Sequence, residues 1–328
     1  MKLTVIIFCT LWTLSAVPAH AGQAAGPAQA APPPATDTIA PDIPGVVAGG
    51  TKVAVIKEGF QGTEGPIALP DGSVVFAETN ANRLTRIDKD NKVSTFLENT
   101  NGSNALAFDS RGRLISVQTT PGRSGVGVIY PKGSEAMLAS NFQGRPNDLT
   151  VDKRGGAYFT VPVAQPGDAS PATPFVPAVY YMAPGGTAAR VAVDIELPNG
   201  ILLSRDERTL YVNNTRGEYL LAFDVQADGQ LRNRRNFAKY EGVTKTDAGV
   251  ASGADGLAID NDGRIYAATA AGVQVFSTQG AHLGTIPVSR SPQNLAFAGP
   301  DKKTLYIVGR GAAYKVQMLT QGFQGRAK

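Results

Sequence analysis

The sequence predicts an all-β protein, a six-bladed β-propeller, and three observations support this fold class. Strand–turn–strand units recur along the chain at intervals of roughly 40 to 55 residues, which suits a propeller blade of four strands. Most units are followed by further strand-like runs. The last unit is one strand short, and an additional strand-like run precedes the first unit. Six such units packed around a common axis give a closed ring.

Each unit has a polar first residue, a short apolar strand, a polar turn and a second β-prone strand. The units start at Glu64, Asn104, Asn147, Asn199, Asp255 and Asn294. Their turns include Asp71-Gly72 and Asp262-Gly263, which are typical of β-hairpins. The last unit ends at "AAYKVQM", so we expect "KVAVIK" at 52–57 to complete it and to remove the open sheet edge. A β-sandwich, the alternative architecture, does not predict six equivalent units.

The N-terminal region predicts an exported protein. Residues 1–21 have the pattern of a secretory signal peptide, with Lys2, an apolar run and a small-residue end at 19–21. A retained membrane anchor is the alternative, although the run is short for a membrane span. Residues 22–50 are rich in Ala, Pro and Gly, so we expect a linker or tail before a propeller domain at 51–328. The expected location is periplasmic or secreted.

The composition restricts the chemistry and the partners. Signal cleavage would remove Cys9 and His20, which leaves no cysteine and a single histidine, His282. The core must then be stable without disulfides, and catalysis by a cysteine or by a Ser-His-Asp triad is disfavoured. The chain has 31 Lys and Arg against 27 Asp and Glu. This near balance gives no argument for a nucleic acid or an anionic membrane as a partner. We expect the protein to be a monomer.

The six first residues, called the ring residues below, are the candidate site. In a propeller the innermost strands line the central channel, so equivalent positions converge at one end of it. Taken alone, Asn199-Gly200 would be a hairpin turn, but six oxygen-bearing side chains in register indicate a site. Carboxylate and amide oxygens suit Ca²⁺, with Mg²⁺, Mn²⁺ or Zn²⁺ as alternatives. Glu64 and Asp255 would repel each other without a cation between them.

Four stretches carry a family resemblance: "TEGPIALPDGSVVFAE", "GRPNDLTVDKRGGAYFT", "LPNGILLSRDERTLYV" and "GADGLAIDNDGRIYAAT". Together, over roughly residues 52–317, the chain resembles the senescence marker protein, gluconolactonase and regucalcin family of six-bladed propellers. The resemblance implies a divalent metal, usually calcium, held by Glu64, Asn147, Asn199 and Asp255. It also implies that Asp255 is the acid–base group and that Arg145, with Asn147, helps to hold the substrate.

The implied reaction is the metal-dependent hydrolysis of a small lactone or a related ester, in which the metal polarises the carbonyl and Asp255 acts as general base. Asn104 and Asn294 are expected to line the channel beside the ligands. Two alternatives stay open: a non-enzymatic binding module with a structural Ca²⁺, and a strictosidine-synthase-like or phosphotriesterase-like enzyme on the same scaffold. Arg145 equally fits a surface loop arginine. The Pro-rich insertion at 161–178 either covers the channel mouth or is disordered.

Overall fold

A computed structural model describes residues 32–165, 168, 174–247 and 249–325. A compact unit begins at Pro33. The preceding unit, residues 1–32, lies almost entirely outside the described residues, and the predicted signal peptide lies wholly outside them. Within the described residues, no helix has the length and apolar character that crossing a membrane requires.

The described chain begins with two strands that belong to the last blade, β1 (Thr38–Ile39) and β2 (Lys52–Glu58). Blade 1 contains β3 (Thr63–Ala68), β4 (Val74–Glu78), β5 (Arg83–Ile87) and β6 (Val93–Glu98), with a 3-10 turn at Thr79–Ala81. Blade 2 contains β7 (Ser103–Phe108), β8 (Leu114–Gln118), β9 (Gly125–Tyr130) and β10 (Ala136–Ala139). Blade 3 contains β11 (Leu149–Val151), β12 (Ala157–Val161), β13 (Ala178–Met182) and β14 (Ala188–Ala192).

The second half of the chain continues the pattern. Blade 4 contains β15 (Pro198–Leu203), β16 (Thr209–Asn214), β17 (Tyr219–Val225) and β18 (Leu231–Lys239). A small hairpin follows, formed by β19 (Thr244–Thr246) and β20 (Gly249–Ala251). Blade 5 contains β21 (Leu257–Ile259), β22 (Ile265–Thr269), β23 (Gly272–Phe276) and β24 (His282–Ile286). Blade 6 contains β25 (Asn294–Ala298), β26 (Thr304–Gly309) and β27 (Ala312–Gln317), together with β2 and β1.

The predicted six-bladed propeller is confirmed, and so is its closure by an N-terminal strand. β2 pairs antiparallel with β27, with Val53 opposite Val316 and Val55 opposite Tyr314. The innermost strands of the six blades contact one another in order, and β25 contacts β3. The ring therefore closes through hydrogen bonds between the two ends of the chain.

The hydrophobic core lies between the blades. It divides into six clusters of buried side chains, each dominated by two neighbouring blades. Phe76 and Tyr306, for example, belong to the cluster between blades 1 and 6. The second strands β4, β8, β12 and β22 are buried throughout. This is why they are continuous apolar runs in the sequence, whereas the outermost β18 is largely exposed and basic.

The prediction of a linker or tail at 22–50 is wrong for residues 32–50, the part of this segment that the structure describes. Strand β1 pairs with β2, and Ile43, Val46 and Val47 are fully buried in the cluster between blades 5 and 6. Burying each such side chain contributes about 1.5–3 kcal/mol toward ordering this segment. The composition of the segment did not reveal these apolar residues, because Pro, Ala and Gly dominate it. The packed domain therefore starts well before residue 51.

Candidate functional site

The ring residues lie where the inner strands begin, which we call the starting end of these strands. In blades 1, 2 and 4 the pairing of the first and second strands is interrupted there, between Glu64 and Ile67, Ser103 and Leu106, and Pro198 and Ile201. In blades 3 and 5 regular pairing starts two residues after Asn147 and Asp255. Such irregularities redirect side chains away from the sheet.

The glycine that follows three ring residues has a packing role. Gly65, Gly200 and Gly256 each face the backbone or side chain of the next blade so closely that a Cβ atom would overlap it. The contacted residues are Asn104 for Gly65, Asp255 for Gly200 and Asn294 for Gly256. Asn199-Gly200 therefore lies inside strand β15 and is not a hairpin turn. The Gly lets neighbouring inner strands approach each other.

Three ring amides form a chain of hydrogen bonds that crosses blades 2, 3 and 4. Asn104 Nδ2 donates to Asn147 Oδ1 at 2.6 Å and to the Asn147 carbonyl oxygen at 3.0 Å. Asn147 Nδ2 donates to Asn199 Oδ1 at 2.6 Å, and Asn199 Nδ2 donates to Thr215 Oγ1 at 3.1 Å. Thr215 Oγ1 in turn donates to the Ala254 carbonyl at 2.7 Å, on the segment that leads into blade 5. We call this chain of contacts the amide relay.

On the other side of the ring, Glu64 is held by neutral donors from blade 6. Asn294 Nδ2 donates to Glu64 Oε2 at 3.3 Å, and Gln293 Nε2 donates to Glu64 Oε1 at 3.2 Å. The backbone N–H of Gly65 also donates to Oε2, at 3.3 Å. Glu64 is buried, with 8% of its surface exposed. Both carboxylate oxygens therefore accept long hydrogen bonds, of 3.2 to 3.3 Å, from neutral groups.

The backbone of Asp255 is held by contacts from blade 4. Its carbonyl oxygen accepts hydrogen bonds from Gly200 N–H at 3.1 Å and from the side-chain amide of Asn213. Asn213 is fully buried and accepts a hydrogen bond from Tyr240 at 2.5 Å. Complete burial raises the pKa of Tyr240 well above its ordinary value, so the phenol stays a neutral donor. The Asp255 side chain is half-buried.

Arg145 lies on the loop between β10 and β11 and is exposed. Its N–H donates to the Val163 carbonyl at 2.8 Å, which joins this loop to the predicted insertion at 161–178. The insertion is described at 161–165, 168 and 174–178. Within it, Asp168 accepts a hydrogen bond from Gly144 N–H at 2.8 Å, and Phe175 packs beside Gly144. The described part of the insertion therefore supports the backbone next to Arg145.

The opposite end of the inner strands, here the far end, has a different chemistry. Asp109, Asp152 and Asp260 each accept two backbone N–H bonds from their own hairpin turn and one from an arginine of the same blade. Burial opposes the ionised form of Asp109, but the hydrogen bonds from Arg113 and Arg111 outweigh it and lower the pKa of Asp109. These carboxylates stabilise turns.

A cavity of about 930 Å³ also lies at the far end. Its wall combines apolar residues such as Leu69 and Phe108 with charged ones such as Asp152 and Lys302. Burial lowers the pKa of Lys302 to about 8, and its amine donates to the Phe323 carbonyl at 2.8 Å. The wall of the cavity reaches Leu106 and Leu149, two residues after the ring residues Asn104 and Asn147, but contains none of the ring residues themselves.

As ligands for a metal ion, the ring residues offer carboxylate and amide oxygens. Across the described ranges, no group of three or more His, Cys, Asp or Glu side chains is arranged to hold a metal ion. A cation at the starting end would therefore need the ring amides in addition to Glu64 and Asp255. Amide and carboxylate oxygens from four blades match the hard, flexible ligand set of Ca²⁺, so the residues present fit such an ion. Arg145 is too exposed and too basic to be a ligand.

Comparison with known proteins agrees with this geometry. Residues 62–310 match the family described as "SMP-30/Gluconolactonase/LRE-like region". The chain belongs to this family. The match covers the six-bladed domain from β3 to the end of β26, including all six ring residues. The proteins similar to this chain include several that are named lactonases.

Individual relatives show how similar this chain is to known proteins. The gluconolactonase of Zymomonas mobilis is 26% identical over 299 residues, which covers 83% of each chain. Among solved structures, the gluconolactonase XC5397 of Xanthomonas campestris superposes with a TM-score of 0.71, at 27% identity over 87% of this chain and 99% of that one. A calcium-binding regucalcin from Agrobacterium tumefaciens has a TM-score of 0.67 at 18% identity, over 83% and 96% of the two chains, and shares the fold.

Several residues that contact the ring residues were not predicted from the sequence, among them Thr215 and Gln293. Thr215 contacts Asn199, and Gln293 contacts Glu64. The signal for Thr215 was present, since Thr79, Thr119 and Thr215 recur 15 or 16 residues after the ring residue of their blade. Gln293 directly precedes a ring residue, and it is found only from the packing of blade 6 against blade 1.

Proposed function

We propose that the protein is a divalent-metal-dependent lactonase whose active site is the starting end of the inner strands. The observation that carries the proposal is the ring itself: Glu64, Asn147, Asn199 and Asp255 come from four blades and are joined to one another or to their neighbours by hydrogen bonds across the blades. Family membership supports lactone hydrolysis as the reaction. The oxygen donor set supports Ca²⁺ as the ion.

A bound divalent cation would supply a Lewis acid that polarises the lactone carbonyl. Glu64, Asp255 and the amide oxygens of Asn147 and Asn199 would hold that ion. Asp255, the ring carboxylate with partial access to solvent, would accept the proton of the attacking water. Such a weak base suits an activated ester such as a lactone.

Arg145 would bind the hydroxyl or carboxylate groups of the substrate. The guanidinium is exposed at the start of blade 3, two residues before the ring residue Asn147. Its loop is held by the backbone bond to Val163 and by Asp168. An arginine in this position presents several N–H donors to an oxygen-rich substrate without contributing to the fold. This favours a polyhydroxy lactone, such as a sugar lactone, over an aliphatic one.

The test is hydrolysis of a panel of sugar and aliphatic lactones before and after chelation, followed by restoration with Ca²⁺, Mg²⁺, Mn²⁺ or Zn²⁺. We expect turnover of at least one sugar lactone, loss of turnover with the chelator, and recovery with a divalent ion. Turnover that is indifferent to the chelator would contradict the metal dependence. An absence of turnover on every lactone and ester, with an ion still bound, would favour a binding module.

A further inference from the structure

The Thr215 hydroxyl determines which atom of Asn199 faces it. Thr215 Oγ1 lies 2.7 Å from the Ala254 carbonyl oxygen, which can only accept a hydrogen bond. The single hydroxyl proton must therefore point at Ala254. Toward Asn199, at 3.1 Å, the hydroxyl can then only accept, so the atom of Asn199 that faces it must be the amide nitrogen.

This constraint passes along the amide relay. With its nitrogen turned to Thr215, Asn199 turns its oxygen to Asn147, whose facing atom must then be a nitrogen at 2.6 Å. Asn147 in turn presents its oxygen to Asn104. Each amide oxygen has two acceptor sites, so Asn147 and Asn199 accept one relay hydrogen bond and keep a second site for a cation.

A second acceptor fixes the same direction at the beginning of the relay. Asn104 Nδ2 lies 3.0 Å from the backbone carbonyl of Asn147, which again can only accept. Carbonyl groups at both ends, Asn147 and Ala254, therefore require the same direction in all three amides. The Thr215 hydroxyl is the link that connects the ring amide of blade 4 to the second of these carbonyls.

We propose that Thr215 is a positioning residue that fixes the amide relay in the direction that presents the oxygens of Asn147 and Asn199 to the bound cation. The inference rests on the proposed function, since it deepens the description of the same site. Without the hydroxyl, Asn199 loses the acceptor of its nitrogen and rotates more freely. The Asn199 oxygen is then held from one side only, by Asn147, and is less well placed toward the cation.

The matched variants are Thr215→Val, which removes the hydroxyl at nearly constant volume, and Thr215→Ser, which restores it. Thr119→Val is the control, because Thr119 occupies the same register in blade 2 and donates to the Gly102 carbonyl of its own blade at 2.8 Å. The readouts are the dissociation constant for Ca²⁺ by calorimetry and the melting temperature in excess chelator. Calcium alone is the probe, so no lactone is required.

We expect Thr215→Val to weaken Ca²⁺ binding about 10- to 100-fold, as is typical when a residue that orients a metal ligand is removed. Thr215→Ser and Thr119→Val should bind Ca²⁺ as the wild type does, and Thr119→Val should melt at a temperature similar to that of Thr215→Val. Equal Ca²⁺ affinity of Thr215→Val and the wild type would overturn the inference, as would an equal loss in Thr119→Val. A wild-type protein that binds no divalent ion would overturn it as well.

The two proposals fail in different ways. If the wild type binds Ca²⁺ and loses affinity only in Thr215→Val, the inference holds even when no lactone is hydrolysed. If lactones are hydrolysed with a Ca²⁺ dependence that Thr215→Val leaves unchanged, the proposed function holds and the inference fails.

Discussion

The two ends of the inner strands both carry repeated oxygen-bearing side chains. At the far end their hydrogen bonds stay within one blade, whereas at the starting end they join neighbouring blades. At the far end, Asp260 accepts from Asp262 N–H, Arg264 N–H and the Arg264 guanidinium, all in blade 5. At the starting end, Asn147 donates to Asn199 of the next blade, and Glu64 accepts from Asn294 of the previous one. Both sets are in register, so register alone does not distinguish them.

The difference lies in what each set satisfies. The far-end aspartates use their oxygens to pair the orphan N–H groups of a hairpin turn, as polar residues commonly do. The ring residues join separate blades, and their amide oxygens keep acceptor capacity toward the channel. A repeated polar residue whose partners are in its own turn is therefore structural. One whose partners lie across the blades is a candidate for a site.

The largest expected effect is on kcat and comes from removing the Asp255 carboxylate at the starting end. We expect Asp255→Asn to lower kcat about 10²- to 10⁴-fold, because the amide cannot accept the proton from water. The measurement is steady-state hydrolysis of the best lactone in the panel. Asp262→Asn, an exposed carboxylate at the far end of the same blade, is the control and should retain full activity. A variant Asp255→Asn with the wild-type kcat would exclude this residue as the base.

Removing a buried carboxylate at the far end should lower the stability of the protein instead of its activity. Asp260 is fully buried and binds Arg264 at 2.8 Å and Tyr266 at 3.0 Å. We expect Asp260→Asn to lower the free energy of unfolding by about 3 kcal/mol, since it removes the buried carboxylate of the ion pair and leaves Arg264 only the exposed Asp262 as a charge partner. The measurement is urea denaturation, combined with kcat of the folded fraction, which should be unchanged. A large fall in kcat without loss of stability would mean that the two ends are not separable.

A smaller effect is expected at the mouth of the starting end. Arg145→Ala should raise KM for a sugar lactone about tenfold, which corresponds to the loss of one or two hydrogen bonds to a charged donor. Arg111→Ala, an exposed loop arginine at the far end, is the control and should leave KM unaltered. If the two variants behave alike, Arg145 is a surface residue, and the substrate is held by other groups.

The smallest expected effect is on the pH dependence of stability. It tests whether a carboxylate close to the ring residues can still be purely structural. Glu78 lies at the starting end, but its partners are Gln61 N–H, Arg83 and Thr85, close to it or in its own blade. Burial opposes its ionised form, yet the hydrogen bonds from Thr85, Gln61 and Arg83 outweigh it and lower the pKa of Glu78 below 4.5.

Because this pKa is lowered on folding, Glu78 stabilises the protein above about pH 4.5, and the contribution is lost as the pH falls through the folded-state value. Glu78→Gln should therefore flatten the acid limb of a plot of melting temperature against pH. Glu98→Gln, an exposed glutamate of blade 1, should leave that limb in place. A flattened limb with unchanged Ca²⁺ affinity would place Glu78 with the structural carboxylates.

Much of this architecture is present in the sequence, because propeller blades repeat and repeats are visible. The six units, the closing strand at 52–57 and the six ring residues could all be predicted. The packed segment around Ile43 and Val47 could not, since a few apolar residues among Pro, Ala and Gly do not change the local composition. The direction of the amide relay could not be predicted either, because it depends on contacts between blades more than 40 residues apart in the chain, such as Asn147 with Asn199.

Calorimetric titration of the wild-type protein with Ca²⁺, beside Glu64→Gln and Asp260→Asn, tests the central claim most directly. The ring account predicts one ion per chain in the wild type, a large loss of affinity in Glu64→Gln and unchanged affinity in Asp260→Asn. Binding that survives Glu64→Gln but is lost in Asp260→Asn would place the ion at the far end and contradict the account.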